Sequence, residues 1–478
     1  MKNIAYNPYL PPEEFVPDAE PRVFGDRVYV YGSHDVRNGH DYCLGDYVCW
    51  SAPLDDLSDW RYEGIIFRKD QDPENRDGAR KMNAPDVVQG PDGKYYLYYV
   101  LTVQKWAELE IAVAVCDTPA GAYEYLGVVR FADGRKMDTP LPFDPAVLVD
   151  DDQRIWLYFG FAPHFPMRGQ PIPDSMGAYC VELEQDMMTC KGEPVNIMPD
   201  FAHAAGTEYE AHPFFEAASI RKINGKYYFV YCSRAMHELC YAVSHRPDGD
   251  YHFGGVMVSS SDVGYQGRAT ANARNQIANI HGGMFEANGQ WYIGYHRHTN
   301  GTQFCRQGCM EPISINADGS INQVECTSFG LSGGCIDAKG TIPGWCACNM
   351  YKGQGGLFIK FGPVRQVDAP YVVLEEVENQ LQSYVSNITD DCLVGYRYLR
   401  FDGSEKKLNL NLKGKGQGKF QIFLTDADDE AHAELRIDAD SEIWQEVSVN
   451  IQPASGKYPL RLRYTGEGML ELGNLTIE

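Results

Sequence analysis

Five near-identical turn–strand units dominate this chain: Gly25–Ser33 (GDRVYVYGS), Asp92–Val100 (DGKYYLYYV), Asp152–Gly160 (DQRIWLYFG), Asn224–Cys232 (NGKYYFVYC) and Asn288–His296 (NGQWYIGYH). Each is a turn dipeptide, a basic or polar residue, then a run of β-branched and aromatic residues, which reads as a tight hairpin turn followed by a buried strand. The copies recur about every 60 to 70 residues, long enough for one four-stranded sheet with its loops. Five such sheets arranged radially form a five-bladed β-propeller around a central channel. No amphipathic helical pattern of similar strength competes before about Phe329. The expected fold is all-β: a propeller over residues 1–329, a linker or first strand over 330–349, and a β-sandwich of jelly-roll type over 350–478.

The hairpin partner of each repeated strand should precede its turn, and in a propeller that strand lines the channel. Reading back from each turn gives one polar residue per blade: Asp18 in VPDAEP, Asp86 in NAPDVV, Asp144 in PFDPAVLV, Glu216 in PFFEAASI and His281 in NIHGGMFE. Fivefold geometry aims these side chains at one axis. Cleaving a glycosidic bond requires a carboxylic acid to protonate the leaving oxygen and a carboxylate acting from the opposite face of the sugar. Their pKa values must be driven apart, by burial or by a third charge. Glu216 is flanked by Phe214, Phe215, Ala217 and Ala218, so desolvation should keep it protonated as the acid. Asp18 is the expected base, with Glu20 two residues away as the alternative.

Charge and composition narrow the ligand. The 31 Tyr, 21 Phe and 7 Trp suit half-buried pleated surfaces and the stacking of sugar rings. A formal charge of −24 argues against nucleic acid, anionic membrane surfaces and polyacidic substrates, leaving a neutral ligand such as a pentose-containing oligosaccharide. The opening MKNIAYNPYLPP has no apolar signal-peptide core, and no run approaches a membrane span, so a cytoplasmic location is expected. The fourteen Cys are scattered through apolar runs, as reduced buried thiols would be. Cys305, Cys309, Cys346 and Cys348 lack partners at zinc-site spacing.

At these residues the sequence resembles glycoside hydrolase family 43, the five-bladed propeller α-L-arabinofuranosidases and β-xylosidases. The likeness runs over roughly residues 5 to 325. PDAEPRVFGDRVYVYGSHD is similar to the family's opening blade, which implies Asp18 as general base; the Asp-Pro often found there is replaced by Asp18-Ala19. FDPAVLVDDDQRIWLYFG implies Asp144 as the residue that tunes the acid and orients substrate, and FFEAASIRKINGKYYFVY implies Glu216 as general acid. NIHGGMFEANGQWYIGYHRH implies His281 beneath the site, helping to hold a divalent cation such as calcium in the channel. Arg306 of CRQGCMEPISINADGS resembles an arginine that contacts the innermost sugar. The resemblance further implies inversion at the anomeric carbon and no organic cofactor.

Trp106, Phe161 and Phe165 are candidate walls of the sugar site, alongside Asp86 as a substrate contact. The second half reads as short strands with polar turns and resembles a family 6 carbohydrate-binding module in LVGYRYLRFDG and LELGNLTIE. With Trp444 as its sole tryptophan after the linker, a role bracing the propeller is expected over sugar binding. Arabinofuranosidase action is expected, with β-xylosidase as the alternative. A non-catalytic sugar-binding propeller fits less well, because the acid position is filled. A WD or kelch scaffold lacks the buried carboxylates, and a fructan-cleaving relative would carry an N-D-P-N-G type motif that this chain lacks.

Overall fold

A computed structural model describes residues 6–103, 105–137, 141–163, 174–359, 367–427 and 430–478. The repeated strands are the second strands of five antiparallel sheets arranged as a five-bladed propeller. Blade 1 runs through Glu20–Phe24, Arg27–Tyr31, Tyr47–Pro53 and Arg61–Phe67, and blade 2 through Met82–Gln89, Tyr95–Leu101, Ile111–Cys116 and Glu124–Val128. Blade 3 begins with Ala146–Val149, Ile155–Phe159 and Gly177–Leu183. Blade 4 runs through Phe214–Ile223, Lys226–Ser233, Glu238–Ser244 and His252–Ser259, and blade 5 through Met284–Ala287, Gln290–Arg297 and Gln307–Ile313.

The turn residues explain the hairpins. Asn224-Gly225 and Asn288-Gly289 each take two positive φ angles, the two-residue turn whose twist matches that of the flanking strands. The first strands stand innermost: those of blades 1 and 2, 2 and 3, 3 and 4, and 5 and 1 lie against each other. The ring closes where Ala19 bridges Gly282 and where the N-terminal segment lies along blade 5, with Tyr9 N–H donating to Gly308 O at 3.2 Å. The alternating apolar residues of neighbouring blades, such as Val230, Ile293 and Tyr295, fill the space between the sheets.

Residues beyond the propeller form a β-rich domain whose strands join in one hydrogen-bonded sheet around a core that includes Ile342, Val394, Leu410 and Leu462. The Gly-rich 330–349 segment contributes strands Ile336–Asp337 and Gly340–Pro343 to this sheet, and Asn349–Lys352 follows directly. The domain docks firmly on the propeller. Buried Arg397, held by Asp426 of its own domain at 2.6 Å, reaches across to Glu325 and to Asp262 at 3.6 Å, and Asn275 Nδ2 donates to Cys348 O at 2.7 Å. All fourteen cysteines are free thiols, twelve of them buried. Among the described residues no helix is long and apolar enough to cross a membrane.

Candidate active site

Strand register explains which side chains reach the axis. Glu20 pairs with Tyr31 in blade 1, Ala146 with Tyr158 in blade 3 and Met284 with Ile293 in blade 5. Extending those pairings a few residues places Asp18, Asp144 and His281 in matching slots at the channel mouth. Asp18 and Asp144 enter their strands in the left-handed region, at φ 56° and 50°, which short acidic residues tolerate better than most. In blades 2 and 4 a one-residue bulge intervenes: Asn83 pairs with Val100 but Asp86 with Tyr98, and Glu216 pairs with Cys232 but Ser219 with Val230. The bulge delivers Asn83 and Glu216 to the slot, and Ala84 and Ala217 carry its positive φ angles of 28° and 67°.

Asp86 is therefore a correction to the sequence reading. It stands level with Glu20, one layer deeper in the channel, and does not line the pocket. Fully buried, it accepts from Arg22 Nε at 2.9 Å and from Val147 N–H at 2.7 Å. Glu20 occupies the same layer and receives Arg221 Nη2 at 2.9 Å. Gly283 leaves room for it, since a Cβ there would sit 2.6 Å from Glu20 Oε2. Two carboxylates and two arginines thus plug the channel beneath the pocket.

Above that plug lies a cavity of about 400 Å3, lined by Asp18, Asn83, Asp144, Glu216 and His281. Trp106, Phe161 and Arg306 line it as well, and Phe165 falls outside the described residues. Phe161 packs at 6.0 Å from Trp106, 5.1 Å from Phe143 and 5.5 Å from Phe215, so one wall is aromatic. Tyr42, Gln303 and Ile359 also line the cavity. Sequence reasoning singled out none of these three, nor Asn83.

The three acids sit in different electrostatic surroundings. Burial would raise Asp18, but Arg306, His296 and His281 outweigh it and hold the carboxyl down at about 2. Arg306 Nη1 lies 2.8 and 3.1 Å from its two oxygens, and a second buried acid, Asp35, grips the same guanidinium through Nε at 2.9 Å and Nη2 at 3.0 Å. Burial drives His296 down to about 3, so it is neutral; its Nδ1 accepts the Asp18 backbone N–H at 3.2 Å and its Nε2–H donates to Asn279 O at 3.0 Å. Asp35 follows the first repeat directly and His296 ends the fifth, which is the signal that could have marked both.

Glu216 is pushed up to about 8 by burial and by the Asp18 charge, and its carboxyl makes no hydrogen bond among the described residues. Asp144 is also pushed up to about 8, by burial and against the pull of His281, with Glu216 and Asp18 adding to the rise. Its Oδ2 accepts the Ala217 N–H at 2.9 Å and lies 3.6 Å from His281 Nδ1. The bond to Ala217 ties blade 3 to the residue next to Glu216. The pocket thus combines a carboxyl held ionised with a carboxyl held protonated, the pairing that glycosidic cleavage requires.

Comparison with known proteins agrees with this chemistry. Residues 11–321 match the pattern of Glycosyl hydrolases family 43. A xylosidase/arabinosidase of Thermoclostridium stercorarium is 44% identical over 485 residues, covering 100% of this chain and 99% of that protein. In fold, the chain is similar to a family 43 arabinoxylan arabinofuranohydrolase from Bacillus subtilis solved with cellotetraose, at 20% identity and TM-score 0.50, over 98% of this chain and 97% of that one. A GH43_1 enzyme from Xanthomonas citri solved with xylotriose matches at 25% identity and TM-score 0.54, over 69% and 96%. The chain belongs to glycosyl hydrolase family 43 and is a glycoside hydrolase.

Proposed function

We propose that the protein is an exo-acting, inverting glycosidase that releases α-L-arabinofuranosyl units from xylan- or arabinan-derived oligosaccharides. The observation that carries this reading is the opposite bias of Asp18, at about 2, and Glu216, at about 8, within one pocket. Asp18 is the base: ionised across the working pH range, it takes a proton from the attacking water. Glu216 is the acid and gives its proton to the glycosidic oxygen as that bond breaks. Water attacks from the face opposite the leaving group, so the anomeric configuration inverts, a course that requires acid and base about 6.5–9.5 Å apart to leave room for the water. Asp144 is the tuning residue. Its bond from Ala217 and the nearby His281 favour its ionised form, while Glu216 and Asp18 oppose it. Arg306 anchors Asp18 and borders the innermost sugar.

The cavity is at the small end of ligand pockets, which run from roughly 300 to 1,000 Å3, and this favours a terminal unit over a polymer interior. A second reading, β-D-xylosidase or dual action, draws on the name of the Thermoclostridium relative. Parallel assays on 4-nitrophenyl α-L-arabinofuranoside and β-D-xyloside, with wild type and Glu216→Gln, separate the two. Wild type is expected to cleave the arabinofuranoside faster. Loss of the acid should cost about 10²–10⁴-fold on whichever glycoside is cleaved. Unchanged turnover by Glu216→Gln would sink the assignment.

A divalent cation such as calcium in the channel would take His281 Nε2, which is buried with no hydrogen-bond partner among the described residues, as one ligand and draw its oxygens from water, against the positive charge of Arg22 and Arg221 in the layers below. Among the described residues, the side chains grouped closely enough to hold an ion are His212, Glu238 and Cys240, apart from His281. No step of the reaction is assigned to a cation. For the C-terminal domain, over 350–478 with 330–349 as its leading strands, we favour bracing the propeller over a family 6-like sugar-binding role. The ionic and backbone contacts around Arg397 and Cys348 support that choice. A cytoplasmic setting and a neutral oligosaccharide partner complete the reading.

A further inference from the structure

The pocket residue furthest along the chain is Ile359, which comes from beyond the propeller and is 6% exposed. Its segment lies beside the loop that leads into blade 5: Ile277 N–H donates to Leu357 O at 2.8 Å, and Ile359 N–H donates to Ile277 O at 3.2 Å. The close approach depends on Gly355, at φ +94°, where a Cβ would stand 2.0 Å from Ala273 O. The C-terminal half also holds the loop that carries Arg306. Val372 N–H donates to Thr299 O at 2.8 Å, and Leu374 packs with Phe15 and Cys305. Gln303 Nε2 donates to Ile359 O at 3.1 Å, while Gln303 Oε1 accepts the Tyr42 hydroxyl. The Tyr42 ring lies 4.7 Å from the Arg306 guanidinium, which is bonded to Asp18.

We propose that the C-terminal half is part of the sugar pocket: Ile359 is a specificity-determining wall of the subsite for the terminal glycosyl unit, and Gln303 is a positioning residue that transmits its placement to Arg306. The inference rests on the site reading above. Its physical basis is that an apolar wall on one side of a small pocket excludes water from one face of the sugar and blocks passage of a longer chain. The bracing contacts then have a chemical consequence, because they fix both that wall and the arginine that keeps Asp18 ionised.

The test uses the full chain with Ile359→Ala, Ile359→Trp, Gln303→Leu and, as reference, Glu216→Gln, each assayed on the better aryl pentoside and on a pentose trisaccharide. Ile359→Ala is expected to raise KM on the aryl pentoside about tenfold, with a smaller fall in kcat. Ile359→Trp should lower kcat/KM on the trisaccharide at least a hundredfold. Gln303→Leu should move the acid limb of the kcat/KM profile to higher pH, a change that a purely structural role would not produce. Thermal unfolding of each variant identifies any that fails to fold, and Ile359→Ala then decides alone. If Ile359→Ala keeps KM and kcat within twofold of wild type on both substrates, the wall is overturned; if Gln303→Leu leaves the acid limb in place, so is the link to Arg306. Full activity of Glu216→Gln would instead overturn the site reading itself.

Discussion

The most direct consequence of the pocket's electrostatics is that its acid costs stability. Glu216 is pushed from 4.5 to about 8 in the folded chain. Between those values the folded state keeps a proton that the unfolded chain has released, so stability falls as pH rises through that window and levels off above about 8. At pH 7 the gap is about 2.5 units, or about 3 kcal/mol at 1.36 kcal/mol per unit. The side chain keeps some contact with water at the pocket, which brings the expectation to roughly 2 kcal/mol. Glu216→Gln removes this penalty and also relieves Asp144, which Glu216 pushes up. Urea unfolding of wild type and Glu216→Gln at pH 5 and pH 8 is the assay. The variant should be inactive yet more stable than wild type at pH 8, with most of the gain gone at pH 5. Equal stability at pH 8, or the same gain at both pH values, would refute the reasoning.

Two further expectations follow from the layering of the channel. Asp18→Asn should lower kcat about 10²–10⁴-fold on an aryl pentoside, whereas Glu20→Gln, one layer deeper and paired with Arg221, should shift the unfolding midpoint far more than kcat; the reverse pattern would move the base to Glu20. Asp86→Ala strips a buried arginine of its carboxylate and should cost about 3–5 kcal/mol in denaturant unfolding with KM unchanged, and a raised KM at normal stability would return Asp86 to the sugar site.

Much of this architecture was legible because it rests on short-range signals. A turn dipeptide followed by period-two aromatics fixes a hairpin, and five hairpins at even spacing fix the blades. Asp18, Asp144, Glu216 and His281 came within reach by counting back from those turns, and all four line the pocket. In blade 2 the count stops on Asp86, the acid nearest the turn, whereas the residue opposite Val100 is Asn83, three positions earlier and across a bulge. Pro85 was the available warning, since proline cannot donate to a ladder and favours bulges. Gly355 marks a close backbone approach that its sequence surroundings do not announce. Tyr42, Gln303 and Ile359 meet from three separate regions of the chain, and no local pattern announces such a meeting.

The bulges also decide which residue of blades 2 and 4 faces the pocket. A regular blade 4 would bring Ala217, not Glu216, opposite Cys232, and a one-residue shift in a strand sends a side chain to the other face. The extra residue therefore puts the carboxyl into the pocket, and the turn at Ala217 points its N–H at Asp144. One local distortion thus sets both the position of the acid and its link to the neighbouring carboxyl. The strain of a left-handed alanine is offset by that hydrogen bond and by the packing of Ala217 among Phe215, Ile280 and Met284. In blades 2 and 4 the departure from regular pairing therefore decides which residue faces the pocket, while blades 1, 3 and 5 place Asp18, Asp144 and His281 there without it.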